Sequence, residues 1–212
     1  MRLVLLGAPG AGKGTQAKKI VQRFKISHIS TGNILRNEIK NDTGLGRKAG
    51  NFVKEGKLVP DELIIEIIKK ELEEKQPDKG FLMDGFPRNL KQAKMFEDML
   101  DLLGTKLDSV INIDVSKDEI IKRLTSRRIC QSCNNICSIK NLKNMESAKC
   151  PECGGDLFKR KDDEIEVITE RLNVYEKETK PLIDYYKEHN LLVNIDGTGI
   201  ENQVTERVLK HL

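Results

Sequence analysis

The 212-residue chain has no tryptophan and few aromatic side chains of any kind, six phenylalanines and three tyrosines. It also lacks any apolar run approaching the roughly 20 residues that span a bilayer as a helix, so no membrane partner is expected. The apolar stretch Leu3 to Leu6 behind Arg2 is too short for a secretory leader and runs straight into glycines. Strong net charge is missing too: 37 Lys and Arg against 33 Asp and Glu leave +4. That value demands no nucleic-acid partner and is compatible with local cationic clusters aimed at small anions. Cysteine is absent outside one window, since all five lie between Cys130 and Cys153. Such clustering argues against a disulfide framework spread across a secreted domain and for a metal site. There is no internal repeat and no low-complexity tract. What remains, 33% charged and 38% hydrophobic residues, suits a soluble cytoplasmic protein with one core and small appendages.

Short apolar runs alternate with helical patterns. Leu3 to Leu6 is strand-like, Gly7 to Gly14 is a glycine-rich loop, and Ala17, Ile20, Val21 and Phe24 follow at helical spacing. Further strands are predicted at Phe81 to Met83, Val110 to Val115 and Leu191 to Ile195. Ser116 with Glu119 reads as a capping box, and Pro60-Asp61 precedes a helix carrying Leu63, Ile64, Ile67, Ile68 and Leu72. The fold class is therefore α/β, a mostly parallel sheet flanked by helices on both faces. Two stretches fit the alternation poorly. Residues 30–59 hold two helical patterns broken at Thr43-Gly44-Leu45-Gly46, and residues 127–163 hold the cysteines with little apolar content. Both are expected to be insertions that add little to the central core.

Gly7-Ala8-Pro9-Gly10-Ala11-Gly12-Lys13-Gly14-Thr15 places four glycines and a lysine between a strand and a helix. In that context the glycines let backbone N–H groups turn inward as an anion nest, and the helix adds its positive end. Lys13 then supplies a mobile charge for β- and γ-phosphates. The residue after the lysine is Gly14, where most such loops carry Ser or Thr, and the hydroxyl comes one position later at Thr15. Gly80-Phe81-Leu82-Met83-Asp84 is an apolar strand ending in a carboxylate, the place where phosphate-loop proteins keep an acid near Mg2+ and its waters. Asp84 as a simple turn cap is the alternative.

Cys130-x2-Cys133 and Cys150-x2-Cys153, separated by sixteen residues, match the spacing of a tetrahedral zinc site. Four thiolates leave no open coordination position, which makes a bound Zn2+ structural. Two disulfides or an iron–sulfur cluster are the alternatives. Cys137 falls outside the pattern.

With these motifs on the page, the chain resembles the nucleoside monophosphate kinases, adenylate kinases in particular. The glycine-rich loop and Asp84-Gly85-Phe86-Pro87-Arg88 carry the resemblance. Ser30-Thr31-Gly32 with Arg36, Gly56 to Pro60, Arg127-Arg128, Arg160 to Asp163, Arg171-Leu172 and Asp196 to Gly199 stand in the family's order. The family's glycine before the paired arginines is Ser126 here. The resemblance implies reversible phosphoryl transfer from ATP to AMP, giving two ADP, with Mg2+ accompanying ATP. It implies that Gly10, Ala11, Gly12, Lys13, Gly14, Thr15, Arg127, Ile136, Cys137 and Gly199 hold ATP. AMP would be held by Thr31, Arg36, Lys57, Leu58, Val59, Gly85, Phe86, Pro87, Arg88 and Gln92. Arg123, Arg127, Arg160 and Arg171 would surround the transferring group, the last two also reaching AMP, beside Lys13, Arg88 and Asp84. Residues 1–29, 60–126 and 164–212 would be the core, 30–59 the AMP-binding lobe and 127–163 a zinc-containing lid, in a monomer. Arginine suits this chemistry because its planar fork binds phosphate oxygens bidentately and keeps its charge. His28, His189 and His211 have no recognisable catalytic partners and are read as structural. A kinase of other base preference, a nucleic-acid-binding ATPase with a zinc ribbon, and a non-catalytic nucleotide sensor are the competing readings.

Overall fold

The computed structural model describes residues 1–75, 79–139 and 149–212. Five strands form one sheet in the order β2-β3-β1-β4-β8: β1 (Arg2–Leu6), β2 (Ser27–Ser30), β3 (Phe81–Asp84), β4 (Ser109–Asp114) and β8 (Leu192–Asp196). Every pairing is parallel, with Leu5 opposite Asp84 on one side of β1 and opposite Ile111 on the other. Helices must then return the chain over both faces, and the alternation along β1 shows the result. Val4 and Leu6 point into one core with Met83, Phe86, Phe96 and Val110, while Leu3 and Leu5 point into the other with Leu82, Ile111 and Ile113. Full burial on both faces accounts for the unbroken apolar runs. Phe96 packs edge-on to Phe86 with ring centroids 5.1 Å apart, and truncating such a residue to alanine costs about 3–5 kcal/mol.

The first core is covered by α2 (Thr31–Lys40), α3 (Gly44–Glu55), α4 (Asp61–Lys75), α5 (Leu90–Leu102) and α8 (Pro181–Glu188). The second is covered by α1 (Lys13–Phe24), α6 (Lys117–Ser126), α7 (Ile165–Val174) and α9 (Glu201–Leu209). A π-helical turn, Tyr175–Thr179, joins α7 to α8. Half of the expected capping box is present: Ser116 Oγ accepts from Glu119 N–H at 3.4 Å, but the Glu119 carboxylate turns to Arg123 Nε at 2.9 Å. Residues 30–59, expected to add little to the central core, contribute three buried residues to it. Leu35, Ala49 and Val59 are buried in the same cluster as Val4 and Met83, because α2 and α3 are amphipathic and lay one stripe onto the sheet side.

The cysteine region is more than a hairpin. β5 (Arg127–Cys130) pairs antiparallel with both β6 (Ile136–Ser138) and β7 (Leu157–Phe158), giving a second sheet in the order β6-β5-β7. Among the described residues, none between 127 and 163 belongs to either core cluster. Leu142 and Met145, two of the few apolar residues of that stretch, lie outside the described residues.

Candidate active site and metal centre

Because all five strands run the same way, their carboxyl ends meet on one edge of the sheet, where α/β proteins place their ligands. The glycine-rich loop leaves β1 there. A Cβ on Gly7 would lie 2.5 Å from the Ile113 carbonyl oxygen and one on Gly10 only 2.8 Å from Leu124 Cγ, so both must be glycine. Gly12 begins α1 at φ 104°, and a Cβ there would meet nothing within 4 Å, which leaves an open nest facing solvent. Lys13 arches back over its own loop, its Nζ donating to Gly7 O at 2.6 Å and Ala8 O at 2.9 Å. Burial lowers its pKa, Asp84 partly restores it, and Arg88, Arg171 and Arg127 lower it again, to about 8.

Asp84, at the end of β3, takes a place beside this lysine. Burial alone would push its carboxyl up, but His28, Lys13 and Arg88 outweigh that and hold it below the ordinary value. Its Oδ2 lies 3.7 Å from His28 Nε2 and 3.4 Å from Ser30 Oγ, two residues that the period of β2 sets on one face. A Cβ on Gly14 would stand 3.7 Å from the same oxygen. Glycine after the lysine thus keeps clear the space between loop and carboxylate, and an ionised Asp84 with the Thr15 hydroxyl fits Mg2+ or its waters.

Across the cleft stands a group of arginines with two carboxylates between them. Asp163, wholly buried, receives a bidentate fork from Arg127, through Nε at 2.8 Å and Nη2, and lies 3.6 Å from Arg171 Nη1. Asp162 accepts from Arg160 Nε at 2.7 Å and from Arg160 Nη2, while Arg171 Nη1 reaches its Oδ2 at 3.1 Å. Burial pushes Asp162 up, but Arg160, Arg171 and Arg36 pull it down to about 2. Burial and mutual repulsion work against the charge on Arg36, Arg88 and Arg171. An arginine keeps its proton regardless, so the strain appears as affinity for a polyanion. Arg123 stands apart, its guanidinium donating to Glu119, to Ala11 O at 3.3 Å and to Gly197 O at 3.0 Å.

Lys13, Asp84 and the arginines, though not Asp162 or Asp163, line a cleft of about 1470 Å³, above the roughly 300–1,000 Å³ of a pocket for one small ligand. The predicted donor-site residues Gly10 to Thr15, Arg127, Ile136, Cys137 and Gly199 all line it, as do Asp84, Arg123, Arg160 and Arg171. Of the predicted acceptor residues, Arg36, Leu58, Gly85, Pro87 and Arg88 line it as well. Thr31, Lys57, Val59 and Gln92 instead face a neighbouring slot of about 60 Å³, with Leu35, Val53 and Ile64 as apolar walls. Phe86 lines neither cavity; its ring is buried against Phe96. Asp162 and Asp163 were visible as part of a motif, but sequence gave them no role. His28, read as structural, lines the cleft beside Asp84.

The Sγ atoms of Cys130, Cys133, Cys150 and Cys153 lie within 4.8 Å of one another. Cys130 to Cys153 is 3.4 Å and Cys133 to Cys150 is 3.6 Å, too long for a disulfide at about 2.05 Å. A tetrahedron with 2.3 Å zinc–sulfur arms has edges of about 3.8 Å, so the four thiolates fit one zinc ion. The backbone N–H of Cys133 leads the groups that lower the Cys130 thiol, while its neighbours push Cys133 and Cys153 up, since four crowded thiols resist carrying charge together unless a cation joins them. Cys137 is on β6, away from the set, its Sγ 3.9 Å from Arg128 O.

A sequence model of the family described as Adenylate kinase matches residues 5–191. An adenylate kinase from Caldicellulosiruptor bescii is 48% identical over 212 residues, which is 100% of this chain and 99% of that protein. One from Finegoldia magna is 45% identical over the same length, with 99% of it covered. One from Archaeoglobus fulgidus is 46% identical over 198 residues, 93% of this chain and 91% of its own. A phosphate loop facing buried arginines across a cleft wide enough for two nucleotides, and matches of this extent, agree: the chain belongs to the adenylate kinase family.

Proposed function

We propose that the chain transfers the terminal phosphoryl group of ATP to AMP, reversibly, giving two ADP and so balancing the adenine nucleotide pool. The observation that carries this is that Lys13 and Arg36, Arg88, Arg127, Arg160 and Arg171 all line a single cleft. Phosphoryl transfer needs alignment and charge neutralisation rather than covalent help, and these residues supply both. ATP lies along Gly10 to Thr15, with Arg127 on its phosphates and Ile136, Cys137 and Gly199 about its base; Arg123, expected around the transferring group, is tied to Glu119, Ala11 and Gly197, and we place it beside the base instead. All three acceptors that hold Arg123 meet its edges, so it offers the base a flat cationic face. AMP lies with its phosphate among Arg36, Arg88, Arg160 and Arg171. Its base occupies the slot of Thr31, Lys57, Leu58, Val59 and Gln92, reached past Gly85, Phe86 and Pro87. Mg2+ would be held near Asp84 and Thr15, where it supplies charge to the phosphate oxygens. Zn2+ on the four cysteines would tie the end of β5 at Cys130 and the turn at Cys133 to the turn after Cys150.

On this reading residues 1–29, 60–126 and 164–212 are the core, 30–59 the AMP lobe and 127–163 the lid. The 60 Å³ slot is far below the size of a formed base pocket, which supports outward movement of α2 and α3 to admit AMP. Closure of both lobes keeps water from the phosphoryl group. We take the chain to act as a monomer; thiolates of this kind persist in the reducing cytoplasm, and the net charge of +4 demands no nucleic-acid partner. A coupled assay of ADP formation from ATP with AMP, UMP, CMP or GMP tests the proposal. Turnover with AMP should exceed the others by orders of magnitude, and comparable rates with a pyrimidine monophosphate would refute it.

A further inference from the structure

Gln92 is 1% exposed, and its amide is committed at both ends. Its Oε1 accepts from the Arg88 backbone N–H at 2.8 Å, and its Nε2 donates to Asp61 Oδ1 at 2.8 Å. A primary amide can ordinarily turn over and exchange its donor for its acceptor. Here it cannot. Turned over, Nε2 would face a backbone N–H, donor against donor, and Oε1 would face a carboxylate, acceptor against acceptor. Asp61 is itself held in place: the same Oδ1 accepts from Asn89 Nδ2 at 2.9 Å, and Asn89 Oδ1 caps α5 by accepting from Gln92 N–H at 2.7 Å. Two elements far apart in sequence, the start of α4 and the start of α5, therefore meet to fix the direction of one amide.

We propose that Asp61 is a positioning residue that sets the base preference of the acceptor site by locking the Gln92 amide. This rests on the reading that the slot beside Gln92 takes the acceptor base. With one hydrogen of Nε2 given to Asp61 and one lone pair of Oε1 given to Arg88, the amide has one acceptor and one donor left. Adenine answers that pair with its N6–H donor next to a ring-nitrogen acceptor. Hypoxanthine and guanine put O6 where the amine was, so they need the amide the other way round. Asp61 and the Arg88 N–H together forbid that orientation. The carboxylate never enters the slot's chemistry; it acts through Gln92.

The test compares AMP with IMP, which differ at that edge alone. For wild type, Asp61→Asn and Asp61→Glu, kcat/KM is measured for each monophosphate at saturating ATP, and Kd by calorimetry without ATP. Asp61→Asn replaces the acceptor-only carboxylate with an amide and so relaxes one of the two constraints on Gln92, while the Arg88 N–H still opposes the turn; the AMP-to-IMP ratio should fall severalfold in both measurements. Asp61→Glu keeps an acceptor-only group and should keep the preference. A merely structural role would weaken AMP and IMP equally; an unchanged ratio in Asp61→Asn overturns the proposal. Wild type binding neither monophosphate would instead sink the acceptor-site reading itself. Should Asp61→Asn fail to fold, the wild-type Gln92 side-chain amide decides by NMR: protected, inequivalent protons are expected, and exchange as fast as that of an exposed amide overturns the lock.

Discussion

Asp162→Asn removes one charge from the middle of the arginine group and leaves the shape unchanged. In the free protein Asp162 is held at about 2 against an ordinary value of 3.8, by Arg160, Arg171 and Arg36 acting against its burial. At 1.36 kcal/mol per pH unit, that difference contributes about 2 kcal/mol of stability at neutral pH. A folded-state pKa below the unfolded one stabilises above the unfolded pKa and ceases to do so as pH falls through the folded one. The contribution is therefore full above about pH 5 and disappears between pH 4 and pH 2. For a chain of this length the variant should melt about 4–8 °C lower. A bisubstrate mimic, two adenosines joined through phosphates, would bring its own negative charge to Arg160 and Arg171. The gap between variant and wild type should then shrink well below its free value. Calorimetric melts of both proteins, with and without the mimic and at several pH values, measure all of this. A variant melting within 1 °C of wild type at pH 7, or a gap that the mimic leaves untouched, would refute the view that Asp162 stands in for phosphate.

Three further outcomes are expected. Lys13 sits near pH 8 when free and must be charged against phosphate, so apparent ATP affinity should weaken as pH rises through 8 and binding near that pH should take up a proton; calorimetry in buffers of different ionisation enthalpy would show it, and Lys13→Met should fold but lose nearly all turnover. Arg88→Ala should chiefly raise KM for AMP, whereas Arg127→Ala should chiefly raise KM for ATP and lower kcat; equal effects on both substrates in both variants would contradict the two-sided mapping. Extracting metal under reducing conditions should release one zinc per chain and lower the melting temperature while low-temperature activity persists in part, because Lys13, Arg88, Arg160 and Arg171 are outside the cysteine cluster. No shift in the melt would argue against a structural metal.

The parts legible in the sequence were those whose chemistry is local. The glycine-rich loop declares itself because a lysine among glycines between a strand and a helix has few other uses, and the paired Cys-x2-Cys spacing does so for the same reason. Strands β1, β3 and β4 were readable as apolar runs because both of their faces are covered, and the edge strand β8 showed only through Leu192, Val193 and Ile195 around an exposed Asn194. β2 was not, since Ser-His-Ile-Ser is short and carries two polar residues on the face toward Asp84. The three short strands beside the cysteines gave no periodic signal. What sequence could not supply was partnership over distance: that Asp163 belongs to Arg127, 36 residues away, or Asp61 to Gln92, 31 residues away. Charges in a string do not announce which of them will share a burial site. Nor did it show that Leu35 and Ala49 would join the central core.

One consequence concerns Arg123 and Arg127, one helical turn apart on either side of the end of α6 at Ser126. Arg123 is tied to the loop carbonyls of Ala11 and Gly197, while Arg127 starts β5; on the proposed division the first would stay with the core and the second would travel with the lid. A donor nucleotide spans the two. Its base end meets a stationary surface and its phosphate end meets the moving one, so the lid can seat only when the molecule between them has the right number of phosphates. The cleft then behaves as a calliper: adenosine or AMP in the donor place would touch the fixed jaw without drawing in the other, and the same hinge that shields the reaction also gauges the length of what it admits.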